Sequence, residues 1–399
     1  MTWLLQEGRR LLSLESDAAA EASVHHAWQR EMLRQQREFR HRSRYRFPDP
    51  HNWLWTERSL AQASDWWSAT MKAKLFPDGE LVVDACCGAG VDTVALCCRG
   101  EVLAVDRDPL MTRLAASNAA AHGEEPRVCS RSFDADFVQH LPDACRWLHI
   151  DPDRRASPNR GADRRTTQAD QFSPALDEIL VAAARFDGAV VKLAPSTRMA
   201  ESVEAQLESQ ANRLWLGNMG ECRQQLLLLG ELATADRGIR RAVLAEPPAA
   251  SLQPDEDRAG ELHTFSSSVL RFPQCVDEPA GYVYDLHPVL HAAKLQAAWG
   301  EAHGLRPLGG EHGYYCGPSP ISSPWAQCFE IKAVLAWDDR KVRRWLRGAN
   351  AGTVEVKNRL VRLDANAIQR RYSGPGTARL TLLVTQIGDR VRAIAARRL

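Results

Sequence analysis

Leu81-Val82-Val83-Asp84-Ala85-Cys86-Cys87-Gly88-Ala89-Gly90, followed by Val91-Asp92-Thr93, decides the fold. The apolar run with its paired valines reads as a buried parallel strand. It ends in an acid and enters a turn with glycines at 88 and 90, after which the apolar segment from Val91 to Cys98 starts a helix. Glycine in such a turn lets the backbone approach a ligand, because no side chain intervenes. Val102-Leu103-Ala104-Val105-Asp106 is a second strand ending in an acid, about one βαβ unit downstream. In a doubly wound sheet that acid faces a ribose. Two ligands fit this pattern: a nicotinamide or flavin dinucleotide, and S-adenosyl-L-methionine. The Gly-x-Gly-x-x-Gly fingerprint is incomplete, and Asp84 stands before the glycines, where it would repel a pyrophosphate. The amino acid end of S-adenosylmethionine carries an ammonium that Asp84 would attract, which favours the second ligand.

The chain has 399 residues, which implies two or three domains. Its 44% apolar and 25% charged residues are those of an ordinary globular protein. No apolar run is long enough for a bilayer, so no membrane partner is expected. Residues Met1 to Arg10 lack a basic segment before an apolar one, so no secretory leader is read there. The ten cysteines form no Cys-x-x-Cys pair, and adjacent pairs such as Cys86-Cys87 behave as small hydrophobes. The expectation is a reducing, cytoplasmic setting with no disulfide framework and no metal.

Net charge is +1, but it is unevenly spread. Residues 331 to 399 hold 16 Lys and Arg against 5 Asp and Glu, and Arg30 to Arg46 holds 7 Arg against Glu31 and Glu38. Two basic ends imply an anionic macromolecular partner, read here as nucleic acid; solvated faces are the alternative.

Residues 1 to about 75 read as helical and include Trp53, Trp55, Trp66 and Trp67, expected to pack into a core. The βα alternation then continues. Pro109 to His122 is a helix and Arg127-Val128-Cys129 a strand leading to Ser132-Phe133-Asp134-Ala135-Asp136-Phe137. Asp136, before a Phe that can cover a ring, is the expected adenine acceptor, with Asp134 the runner-up. Trp147 to Ile150 and Gly188 to Leu193 are further strands, and Leu214 to Leu216 and Gln225 to Leu229 the last ones. The fold class is α/β, a mostly parallel Rossmann-like sheet with helices on both faces. A Pro- and acid-rich stretch reads as a linker over 249–260. The domains expected are a helical region at 1–75, the sheet domain at 76–248 and an α+β domain at 261–399, with one helix from His287-Pro288 through Trp299.

After the fourth strand comes Asp151-Pro152-Asp153-Arg154-Arg155. The carboxyl end of that strand lies at the switch-point crevice. No aromatic residue follows Pro152 to stack on a base, and no cysteine follows it to serve as a nucleophile. Arg154, Arg155, Arg164 and Arg165 can clamp a phosphate or form a structural ion-pair network with Asp163 and Asp170.

These segments, with Gln62-Ala63-Ser64 and Val191-Lys192-Leu193-Ala194-Pro195, resemble a bacterial class I S-adenosylmethionine-dependent methyltransferase family with a THUMP-like C-terminal domain. Tyr282-Val283-Tyr284, His287-Pro288, Ser323-Pro324 and Val354-Glu355-Val356-Lys357 extend the resemblance through the tail. It covers roughly Trp53 to Leu399. The family typically has Ala where this chain has Asp153. More loosely, the catalytic domain is similar to trimethylguanosine synthases. The resemblance implies an RNA substrate and places Gln62 and Ser64 over the donor.

Together these readings lead to the expectation of a methyltransferase acting on RNA, tRNA or rRNA. Asp84 is assigned to the amino end of the donor, Gly88 and Gly90 to close backbone approach, Asp106 to the ribose and Asp136 to the adenine. Asp151 orients or deprotonates the acceptor, or else serves as a donor-site or turn-capping carboxylate. Lys192 faces the crevice or is merely ion-paired. Pro152, Arg154, Arg155, Arg164 and Arg165 are the acceptor-binding candidates. A methyltransferase of small molecules or proteins, and a non-catalytic RNA-binding protein that keeps the donor pocket, are the alternatives. In the tail, Lys341, Arg343, Arg344 and Arg347 are expected phosphate contacts, and Tyr314 and Tyr315 candidates for base stacking or core packing.

Overall fold

The structure, a computed structural model, describes residues 3–12, 23–47, 49–154, 166–218, 220–235, 237–245, 262–268 and 270–399. The 249–260 linker expectation lies outside them. The chain divides into two compact units. The first takes residues up to 214 and 223–239; the second takes 215–222 and the described residues from 240 onward.

In the first unit, helices α1 (Ala27–Ser43), α2 (Glu57–Gln62) and α3 (Trp66–Ala73) precede the sheet. Trp53 and Trp55 are fully buried and stack on each other with ring centroids 5.4 Å apart, as a core role requires. Polar side chains pin this segment to the sheet domain. Gln36 exchanges two hydrogen bonds with the backbone of Trp55, and Asn118 does the same with Leu54. Each would leave a buried amide unpaired if truncated, a cost of about 1–3 kcal/mol.

The sheet strands of this unit are β1 (Val82–Ala85), β2 (Val102–Asp106), β3 (Arg127–Ser130), β4 (Trp147–Ile150), β5 (Gly188–Leu193) and β7 (Glu221–Gly230), in the order β3-β2-β1-β4-β5-β7, and β6 (Asn212–Asn218) divides between the units after Leu214. All neighbours are parallel except β5 and β7. Strand β1 is central and wholly buried because helices cover both faces, so it has no polar-out alternation. Val83, Ala85, Leu148, Ile150 and Val191 join Phe137, Ile179 and Leu207 in one core. These come from α6 (Ala135–Gln139), α7 (Leu176–Ala183) and α8 (Glu201–Gln210). Full burial of each aliphatic side chain contributes about 1.5–3 kcal/mol. The connections α4 (Val91–Cys97) and α5 (Pro109–Ala121) follow β1 and β2. All parallel strands therefore release their loops at one carboxyl edge, where the site is found.

The second unit holds a seven-stranded sheet in the order β11-β12-β10-β13-β16-β15-β14. Its strands are β10 (Tyr282–Leu286), β11 (Arg306–Leu308), β12 (Tyr314–Gly317), β13 (Ala326–Ala336), β14 (Ala351–Arg359), β15 (Ala378–Ile387) and β16 (Arg390–Arg398). Neighbours are antiparallel except β14 and β15, whose parallel pairing is bridged by a helix (Ala365–Tyr372). A short strand pair, β8 (Arg240–Ala245) with β9 (Leu262–Ser267), also lies in this unit. Trp215, Ala242 and Leu244 share a core with Tyr284, Leu290, Trp299 and Trp325, which is why 215–222 and 240 onward group in this unit. The single helix expected from Pro288 to Trp299 is two, Pro288–Ala292 and Gln296–Ala302, because Lys294 takes a left-handed conformation between them. Tyr314 and Tyr315 have no exposed surface, so of the two roles open to them they take core packing and stack on no base.

Candidate active site

A cavity of ≈ 380 Å³ opens at the carboxyl edge of β1, β2 and β4. It is lined by eight acidic and five basic side chains. Such an acidic interior fits S-adenosylmethionine, whose ammonium, sulfonium and carboxylate sum to one positive charge, better than a dinucleotide pyrophosphate.

The turn after β1 is made by three left-handed residues, Cys86 (φ 58°), Gly88 (φ 56°) and Gly90 (φ 83°). The two glycines do different work. A Cβ on Gly88 would meet nothing within 4 Å, and its N–H donates to Asp106 Oδ2 at 3.0 Å. A Cβ on Gly90 would sit 2.7 Å from Ala115 Cα, so this glycine admits α5 against the turn and does not line the cavity. Its expected approach to a ligand is thereby replaced by a packing role.

Asp106 closes β2 and takes N–H bonds on both oxygens, from Gly88 and from Asp108 at 2.9 Å. Each oxygen keeps a lone pair for a hydroxyl, which suits a vicinal diol. Burial raises its carboxyl above the ordinary value, against those two amide bonds. Along the third loop, Ser132, Phe133 and Asp134 line the cavity. Asp134 also caps α6 by accepting from Phe137 N–H. Asp136 is absent from the lining and pairs with Arg131 on the surface, whereas the runner-up Asp134 lines the cavity. The reason is local: α6 begins at Ala135, which turns residue 136 outward.

Asp84 lines the cavity but is fully buried. Its oxygens are engaged by His149 Nδ1 on β4 at 2.7 Å and by Thr93 Oγ1 on α4 at 2.5 Å. It ties three elements together beneath the turn rather than presenting an unengaged carboxylate. Beside it, Asp92 accepts from Ser64 Oγ at 3.0 Å, and Lys72 Nζ reaches Asp92 Oδ1 at 2.6 Å and Ser64 Oγ at 3.0 Å. Burial pushes the Lys72 ammonium below its ordinary value, against the pull of Asp92. Burial would raise the Asp92 carboxyl, but Lys72, His149 and Lys192 outweigh it and hold it well below the carboxylate range. This buried network seats Ser64 on the cavity wall.

Asp151 follows β4; its N–H donates to Ala85 O at 3.2 Å, and its carboxylate is ion-paired with Lys192 of β5. Both line the cavity, as do Gln62, Pro152 and Arg154. Arg155, Arg164 and Arg165 lie outside the described residues. Asp153 is a hub: Arg58 reaches Oδ2 at 2.5 Å, Arg107 reaches it at 3.5 Å, and Gln62 donates to Oδ1 at 3.2 Å. Arg58, Arg107, Lys72, Asp92 and His149 also belong to these networks, and no sequence motif marks them as such. Two of them carried a positional signal: Arg107 follows the strand-ending Asp106, and Arg58 stands four residues before Gln62, on the same helical face.

In the second unit, helix α9 (Asp339–Gly348) buries Val342 and Leu346. It exposes Arg340, Lys341, Arg344 and Arg347, which have no ion-pair partner among the described residues. Arg343 instead bonds Asp339 on its own helix and sits over the Tyr372 ring. Among the described residues no helix is long and apolar enough to cross a membrane.

Residues 326–398 match the family described as THUMP domain-like. Proteins of two Mycobacterium tuberculosis strains, CDC 1551 and H37Rv, each named an uncharacterized S-adenosylmethionine-dependent methyltransferase, are 29% identical to this chain over 344 residues, 84% of it and 85% of theirs. A crystal structure from Porphyromonas gingivalis W83, assigned as a methyltransferase, matches 100% of this chain and 96% of its own with a TM-score of 0.71 at 16% identity. The chain therefore has a methyltransferase fold and carries a THUMP domain-like segment at its C-terminal end.

Proposed function

We propose that this S-adenosylmethionine-dependent methyltransferase acts on RNA, with the C-terminal unit docking the substrate. The observation that carries the donor half is Asp106, held by two backbone amides at the end of β2 in an acidic cavity. The methyl group arrives on a sulfonium sulfur, so the donor brings its own activation. Asp106 takes the ribose hydroxyls, Phe133 and Asp134 flank the adenine, and Gln62 with Ser64 covers the donor. Asp151 and Lys192 stand where the acceptor must enter, and their pairing lets Asp151 orient the acceptor or take its proton. Positioning of donor and acceptor accounts for much of the catalysis. The RNA half is supported by the THUMP domain-like segment and by the four cations of α9 that are exposed and without an ion-pair partner among the described residues.

The test is methyl transfer from labelled donor into separate pools of total RNA, protein and small metabolites. Label is expected in RNA, and Asp151→Asn should lower turnover with donor affinity little changed. Label confined to protein or metabolites would overturn the RNA reading.

A further inference from the structure

Two exposed arginines meet at the mouth of the donor cavity. Asp84 is fully buried and Asp92 nearly so, whereas Arg58 and Arg107 at the mouth are 58% and 54% exposed. They come from different segments, α2 and the loop after β2, yet reach the same carboxylate oxygen of Asp153. Arg107 also donates to Ser173 Oγ at 3.1 Å. Asp153 is itself held in place, since its backbone exchanges two hydrogen bonds with that of Ser173, at 3.0 and 2.9 Å. Arg154 lines the same wall. At this corner of the mouth one carboxylate is shared by two guanidiniums, with that of Arg154 on the residue next to it in the chain. Phe133, next to Asp134 in the third loop, is the one aromatic residue among the described lining residues, and the Asp151–Arg154 loop carries none. An acceptor at that loop is gripped through charge and not through stacking.

We propose that Arg58 and Arg107, with Arg154, form a phosphate clamp at the cavity mouth that holds the backbone of the RNA beside the methylated nucleotide. Asp153 keeps the first two arginines converged until the phosphate replaces it as their partner. The planar guanidinium fork matches a phosphate, and two forks already converged need little reordering to bind one. This inference rests on the RNA reading and locates, within the donor unit, where the polyanion is held.

The test is fluorescence anisotropy with a fluorescein-labelled RNA hairpin, titrated at several salt concentrations between about 50 and 200 mM. Arg58→Gln and Arg107→Gln should each weaken binding roughly ten-fold at low salt, the scale of one charge-assisted hydrogen bond. Each should also flatten the slope of log affinity against log salt by about 1. Asp153→Ala should bind the hairpin more tightly than the wild type and steepen that slope, because it releases both arginines. Affinity for S-adenosylhomocysteine and a thermal melt report whether each variant keeps its fold. Wild-type affinity and slope in both arginine variants would overturn the clamp and leave the RNA reading standing. So would an Asp153→Ala protein that binds RNA more weakly while the arginine variants lose only donor affinity, the pattern of a structural latch. A wild-type protein that binds no RNA at any salt would remove the RNA reading and the clamp together.

Discussion

Helices α1 and α9 are both rich in arginine, and composition alone treats them as equivalent. The structure does not. Around α1 the cations are turned inward or paired. Arg40 is buried and donates to Leu12 O, Arg30 donates to Val24 O, and Arg42 forms a two-pronged pair with Glu57. Arg46 donates to the carbonyls of Leu60 and Ala63, at the end of α2. On α9, Arg340, Lys341, Arg344 and Arg347 are exposed and unpaired among the described residues, while Val342 and Leu346 hold the opposite face in the core. Positions 340, 344 and 347 fall on one stripe of the helix. The positive charge around α1 is thus taken up by carbonyls and carboxylates, whereas on α9 it is left at the surface.

This contrast breaks most visibly if α9 is neutralised. Changing Arg340, Lys341, Arg344 and Arg347 together to Gln should weaken RNA binding on the order of a hundred-fold at low salt and flatten the salt slope by as much as about 4, one per phosphate contact. Stability should stay within about 0.5 kcal/mol, because surface substitutions away from packing contacts rarely do more. Anisotropy and urea unfolding measure the two; RNA binding that survives intact would return α9 to the status of a solvated face.

Arg46 sharpens the comparison from the other side. Arg46→Gln should leave the salt slope of RNA binding unchanged and weaken donor binding by about 1 kcal/mol, since the two carbonyls it holds lie in the segment that carries Gln62 and Ser64. Calorimetry with S-adenosylhomocysteine decides it. A changed salt slope would mean that Arg46 serves RNA after all.

The smallest effect belongs to the exposed Arg42–Glu57 pair. The hydrogen bond from Arg42 holds the Glu57 carboxyl below its ordinary value of 4.5. A carboxyl depressed in the folded state adds stability above its unfolded value and loses it as pH falls through the folded value. Arg42→Gln should therefore cost slight stability near neutral pH and none in acid, below the folded-state titration of Glu57. A deficit that persists in acid would point to lost packing over Phe39, where the guanidinium also rests.

Much of the architecture was legible because its causes are local. The runs Leu81–Ala85 and Val102–Asp106 are strands wherever apolar β-branched residues cluster, and the acids at their ends fall at the carboxyl edge by strand direction alone. The choice between Asp134 and Asp136 was not legible, since it turns on whether α6 starts at residue 135 or later. Nor were the two glycines separable: both are left-handed, but only contact with Ala115 tells that Gly90 serves packing.

By itself, then, the sequence determined the strand–turn–helix frame, the acids at the strand ends and the basic tail, because periodicity and turn chemistry act over a few residues. Tertiary structure alone decided which charges meet. Asp153 finds Arg58, Gln62 and Arg107 across separations of 95, 91 and 46 residues, and Lys72 finds Asp92 in a buried network. Such partners are chosen by the closure of loops at one edge of the sheet. A carboxylate and a guanidinium look the same in sequence whether they end in solvent, in a carbonyl's lone pair or around a shared cavity.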